Sequence, residues 1–217
     1  MNKYGKLAMS FLLVFLAIFA LTGCSATDGL WRLEREFKLN IQTGDTLDDV
    51  ADTDLAEGSL DDLSTLIDTG CVALLSESLE LTPAQKIAEI KILHEAITST
   101  HLSIVETRNS NKITFQSFKS SVADFRENDF SLSSDDKEQV QLWISELKEL
   151  KLTLQDTIGK AFAQMRSLRG NYNLDNLDLI LSTYQEVDEV LKTRLEAMMR
   201  IGEILGLAHD MIGAYGE

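Results

Sequence analysis

Residues 177–212 read LDLILSTYQEVDEVLKTRLEAMMRIGEILGLAHDMI. Leu177, Ile180, Tyr184, Val187, Leu191, Arg194, Met198, Ile201, Leu205, Ala208 and Ile212 stand at alternating steps of three and four, and only Arg194 is charged. That spacing holds one stripe of side chains on one face of a long α-helix. A second stripe lies upstream: Val140, Ile144, Leu147, Lys151, Leu154, Ile158, Ala161, Met165 and Leu168, with only Lys151 polar. Gly170 is placed to end that helix, Arg166 and Arg169 suit its last turn, and Asn173 can cap the next. Two heptad stripes joined by about four residues predict an antiparallel hairpin. Each arm is on the order of 50–60 Å long at 1.5 Å per residue.

A lone hairpin would expose too much. Leu181, Leu195 and Met199 widen one stripe; Trp143, Leu150 and Phe162 widen the other. Wide stripes need more than one neighbour. The segment 83–127 can supply it. Thr82-Pro83-Ala84-Gln85 is a helix start: Thr as N-cap, Pro at the first position, Gln closing a capping box. Ile87, Ile90, Leu93, Ile97 and Ile104 follow, then Asn109-Ser110-Asn111 interrupts, then Phe115, Phe118, Val122 and Phe125. The expected helices are about 83–108, 113–127, 134–169 and 174–213, with the 83–127 segment folding back once. Ser59 and Asp62 form a capping pair for a shorter element at about 60–79, carrying Leu60, Leu63, Leu66 and Ile67. Pro83 is the sole proline, as suits long helices. The reading is all-α: an elongated antiparallel three-helix coiled-coil-like bundle over 59–217, four-helix if 60–79 packs with it.

Residues 39–85 hold no Lys or Arg, and Asp45–Glu80 holds eleven acids. Residues 24–58 are therefore expected to form a partly disordered acidic tether. Leu30, Leu33 and Phe37 hint at a short amphipathic helix within it.

The N-terminus carries a different signal. Lys3 and Lys6 precede an almost wholly apolar run, Leu7 to Leu21. The run is too short for a bilayer span, which needs about 20 apolar residues, but it fits a secretory signal over 1–23. Leu21-Thr22-Gly23-Cys24 resembles the lipobox of bacterial lipoproteins. That resemblance implies cleavage between Gly23 and Cys24 and a diacylglyceryl group on the Cys24 thiol. Two acyl chains anchor a protein stably where one does not. The chain would sit on the extracytoplasmic face of a membrane. Ser25 stands where inner-membrane lipoproteins of Gram-negative bacteria carry Asp, which implies the outer membrane in a host that has one.

Cleavage before Cys24 removes two of the 20 basic residues and none of the 35 acidic ones, taking the formal charge from -15 to -17. Nucleic acid is excluded as a partner, since its affinity rests on Lys and Arg neutralising phosphates. The same net charge predicts repulsion from anionic lipid, leaving the acyl chains to hold the membrane. With Cys24 acylated, Cys71 has no partner for a disulfide; among Val72, Ala73, Leu74 and Leu75 it reads as a small buried hydrophobe.

No nucleophile elbow, dinucleotide or phosphate-loop pattern occurs. His94 and His101 lie two helical turns apart, and His94-Glu95-Ala96-Ile97-Thr98 lacks the second His of a zinc-protease helix. Neither they nor His209 follow a Glu at the spacing of a di-iron bundle. The acids of 45–62 miss the offsets of a calcium loop. No enzyme activity, cofactor or metal is expected.

Two surfaces carry functional readings. Leu81-Thr82-Pro83-Ala84-Gln85 resembles the Leu-Thr-x-x-Gln motif of small periplasmic chaperones of the Spy and CpxP type, in one copy where that family has two. It implies a chaperone-like or stress-sensing role. Between Asp156 and Asp175 there is no acid, yet Lys160, Arg166, Arg169 and Tyr172 occur. This hairpin tip is a candidate grip for an anionic partner, an envelope protein or polymer, or simply a complement to a helix dipole. The expected role is structural or interacting at the cell envelope, with a second copy of the chain among the partners the stripes can recruit. A wall-active enzyme is the remaining alternative.

Overall fold

The computed structural model describes residues 25–45, 81–168 and 171–216. Among them lie α1 (Ser25–Asp45), α2 (Pro83–Glu127), α3 (Ser134–Thr157), α4 (Lys160–Ser167), a single 3-10 turn at Leu174–Asn176 and α5 (Leu177–Gly213). No described residue is in a strand. The fold is all-α, with long helices packed side by side.

The stripe of α5 is the spine of the core. Ile180, Tyr184, Val187, Met198, Ile201, Leu205, Ala208 and Ile212 are all buried. The most extensive interface is between α2 and α5. Lys86 meets Asp178 at one end and Phe125 meets Tyr215 at the other, so the two run parallel. The arm α3 runs antiparallel to α5, as the hairpin reading expects: Glu146 pairs with Arg200 and Leu154 lies beside Arg194. Asn173 caps the turn before α5, its side chain accepting from the Asn176 N–H.

Three expectations are corrected. The first concerns the tether. Residues 25–45 form a helix of 21 residues rather than part of a partly disordered tether; the amphipathic helix hinted at by Leu30, Leu33 and Phe37 is present, and all three are wholly buried. The helix lies parallel to α3, with Gly29 beside Val140 and Asn40 Nδ2 donating to the Leu147 carbonyl at 3.0 Å. It lies antiparallel to α2, with Phe37 against Phe118 and Asp45 beside Lys112. The rod is thus four-helical through this half, and its fourth helix is α1. The acidic residues 46–58 and the expected helix at 60–79 lie outside the described residues.

The second correction concerns 83–127. It is one helix of 45 residues, about 67 Å long, with no fold-back. The N-terminal capping box is formed as expected. Asn111 continues the helix because it occupies a core position between Ile104 and Phe115. It is buried, and its Nδ2 donates to the Met198 carbonyl of α5 at 2.8 Å. Gly202 makes room for it: a Cβ there would collide with Asn111 Oδ1. Gly202→Ala should therefore lower stability, although alanine gains about 1 kcal/mol of helix propensity. In an Asn111→Ala background the same change should raise it. Denaturant midpoints of the four proteins check this.

The third correction concerns 134–169. The helix stops at Thr157; Ile158 and Gly159 intervene, with Gly159 at φ 71, and α4 follows. A left-handed residue is cheap only for glycine. Gly170 and Arg169 lie outside the described residues.

The end of the rod where α1 begins is closed by Tyr215. Its hydroxyl donates to Asp136 and accepts from the Ser133 N–H at 2.8 Å, while Ser133 Oγ also bonds Asp136. The Ser133 hydroxyl, then the Tyr215 hydroxyl, hold the Asp136 carboxyl below its ordinary value of 3.8, against a smaller opposing effect of burial. A depressed carboxylate contributes stability above its unfolded value that is lost as pH falls through the folded one. Asp136→Asn should therefore be less stable than the parent at neutral pH, with the gap narrowing below pH 3.8. Thermal midpoints across that range check it.

Candidate functional site

The expected lipidation site, Cys24, and its cleavage partner Gly23 lie outside the described residues. What is described is their neighbour: α1 starts at Ser25, so a helix locked into the core begins one residue after Cys24. No described helix is long and apolar enough to cross a membrane.

Among the described hairpin-tip residues, Lys160, Arg166 and Tyr172 do not converge. Lys160 is in the first turn of α4 and Arg166 in its last, both exposed. Six residues apart on a helix, they point about 120° away from each other. Arg166 sits where a cation complements the helix dipole. Tyr172 is half-buried and faces inward, its hydroxyl 3.4 Å from that of buried Tyr184. Burial raises both phenols above their ordinary range. His94 lies across from them, its ring 6.2 Å from Tyr184. This trio is a polar seam inside the upper half of the rod. We expect Arg166→Glu/Arg169→Glu to stay folded and to give the same crosslinking pattern in intact cells as the parent.

His101 and His209 lie elsewhere on the rod. Among the described residues no three His, Cys, Asp or Glu side chains come together in a way that could hold a metal ion. His209 is 3.5 Å from Asp210, a local surface pair.

Two arrangements were not read from sequence. One is a buried polar layer at mid-rod, where α1 and α3 both end. Arg194, 0 % exposed, donates to the Gly44 carbonyl of α1 at 3.1 Å. It also donates to the Leu154 carbonyl and the Thr157 hydroxyl of α3. Helix C-termini leave carbonyls without intrahelical donors and carry partial negative charge, so one guanidinium serves both ends. Asn40 and Asn111 belong to the same layer and line a void of about 10 Å³. The heptad pattern exposed Arg194 as an anomaly, but not its partners.

The other is a face of opposite charge to the chain. From 31 to 42 the exposed side chains of α1 are Trp31, Arg32, Arg35, Lys38 and Gln42, with no acid among them. Beside them, α2 carries no acid from Thr107 to Ala123, but it carries Lys112, Gln116 and Lys119. A shallow groove joins the two helices, lined by Lys38, Ile41, Gln42, Lys112, Ile113 and Gln116, with Phe115 at its floor. Ile113 is 70 % exposed and Trp31 52 %. Arg35 lies over the Trp31 ring and Lys119 over Phe115. This is a second basic patch, besides the cations of the tip. The acid-free run in α2 was the signal that could have revealed the second.

No protein-family model, no curated protein and no solved structure matches this chain.

Proposed function

We propose that this protein is a lipid-anchored lipoprotein of the cell envelope, held to the extracytoplasmic face of a membrane through Cys24, with a structural or interaction role. The observation that carries the reading is the lipobox-like Leu21-Thr22-Gly23-Cys24, which directly precedes a helix built into the core. An acyl group on Cys24 would attach straight to a rod with no spacer between them. The described residues include a buried layer of carbonyl-capping groups around Arg194 at mid-rod.

Cys24→Ala is expected to abolish acyl labelling, and to leave uncleaved precursor or release the protein from the membrane fraction. Acyl labelling and membrane attachment unchanged in that variant would sink the reading. The chaperone-like alternative rests on the Leu-Thr-x-x-Gln resemblance, whose Thr82 and Gln85 also form the capping box of α2.

A further inference from the structure

We propose that the α1–α2 face carrying Trp31, Arg35, Lys38, Lys112, Ile113 and Lys119 lies against anionic phospholipid headgroups, so that the rod reclines on the membrane. The orientation rests on the lipoprotein reading above; the binding chemistry of the face does not.

Charge is the first argument. The chain as a whole is strongly acidic, at -15. That net charge predicts repulsion from anionic lipid, but it says nothing about distribution. The exposed part of α1 from 31 to 42 and the adjoining run 107–123 of α2 gather cations and no exposed acid of α1. Two acids beside this face are ion-paired, Glu34 at 3.6 Å from Arg126 and Asp45 at 2.8 Å from Lys112; the second pair offsets the charge of Lys112, so Arg35, Lys38 and Lys119 supply the net positive charge of the face. Basic clusters next to an anchor bind anionic leaflets in an additive way, falling off within a Debye length of about 8–10 Å.

Composition is the second argument. An exposed Trp flanked by Arg and Lys on an amphipathic helix is the pattern of side chains that settle at the headgroup boundary. Trp31 and Ile113 supply apolar reach, while Lys38, Lys112 and Lys119 have stems long enough to keep their ammonium groups among phosphates.

Continuity is the third. Trp31 is seven residues beyond Cys24, so it sits about 10 Å along α1 from the attachment point, and Lys38 about 20 Å. A rod standing upright on its acyl group would lift Lys38 and Lys112 out of electrostatic range. A rod lying on this face brings them all down while keeping the attachment point at the surface.

The two tryptophans supply the test. Trp31 is half exposed and Trp143 is buried at 6 %. The mature protein, purified from membranes, is reconstituted into phosphatidylcholine vesicles with and without phosphatidylglycerol, each doped with brominated-chain lipid. The expected result is blue-shifted, quenched Trp31 emission in the phosphatidylglycerol vesicles. The Trp31→Phe protein, reporting Trp143 alone, should show neither change. Lys38→Glu/Lys119→Glu, two exposed positions, should cut the quenching at least about tenfold with unaltered far-UV circular dichroism. Trp31 unquenched in anionic vesicles, or quenched equally in the charge-reversed protein, overturns the proposal. The mass of the N-terminal peptide reads acylation of Cys24 in the same samples. An acylated protein with unquenched Trp31 therefore leaves the anchor reading standing while the face falls. An unacylated protein added to the vesicles still tests the face.

Discussion

Phe37→Ala should destabilise the protein by about 3–5 kcal/mol, the usual cost of truncating a buried aromatic. Phe37 is 0 % exposed, with its ring edge-on to Phe118 at 5.3 Å and tilted against Phe115 at 6.5 Å. Two aromatic contacts add to the area lost, and the hole opens in the packed interface of α1 with α2. The position separates two pictures of the N-terminal region. If residues 25–45 were a solvated tether, truncating an apolar side chain there would change stability by no more than about 0.5 kcal/mol. Urea unfolding followed by far-UV circular dichroism measures the difference. The slope should stay unchanged if α1 unfolds together with the rest of the rod.

Arg194→Ala should be as damaging, at about 3–5 kcal/mol. The loss has two parts. A large buried side chain disappears from the centre of the rod, and the Gly44 carbonyl and the Thr157 hydroxyl lose the guanidinium as donor, whereas the Leu154 carbonyl keeps the Thr157 hydroxyl. Arg194→Met separates them. It restores most of the volume but no donor, so it should retain a penalty of about 1–3 kcal/mol from the stranded acceptors. A methionine variant as stable as the parent would show that volume alone matters there. Hydrogen exchange gives a second readout: the last turns of α1 and α3 should lose protection before α2 does, because Arg194 is what joins those two helix ends.

The parts of this fold that were legible in sequence are those where one period persists. The stripe of α5 runs through eleven positions, so a single charged interloper could not hide it. The capping box of α2 was legible because Thr82, Pro83 and Gln85 each have a local reason to be there. What failed were features whose reason is tertiary. Asn111 resembles a loop residue until Met198 and Gly202 of α5 are seen beside it. Gly159 breaks a stripe that continues in register on both sides, so the pattern passes over the break. The helix α1 was hinted at by Leu30, Leu33 and Phe37, but its full length and its place in the core were not legible, because they depend on Phe115, Phe118 and Val140. The basic face escaped notice because its residues come from two helices far apart in the chain. In α2 they fall in the run that reads as an interruption.

For the candidate site the same division holds. The signal behind the proposed lipidation of Cys24 is local, carried by a few residues and the apolar run before them. The tip looked like a cluster in sequence, but folding turns Tyr172 inward to Tyr184 and spreads Lys160 and Arg166 around α4.

The most direct test of the whole account is the mass of the N-terminal peptide of the protein isolated from membranes. The expected result is a chain beginning at Cys24 with a diacylglyceryl group on its thiol. A peptide beginning elsewhere, or one beginning at an unmodified Cys24, would contradict it.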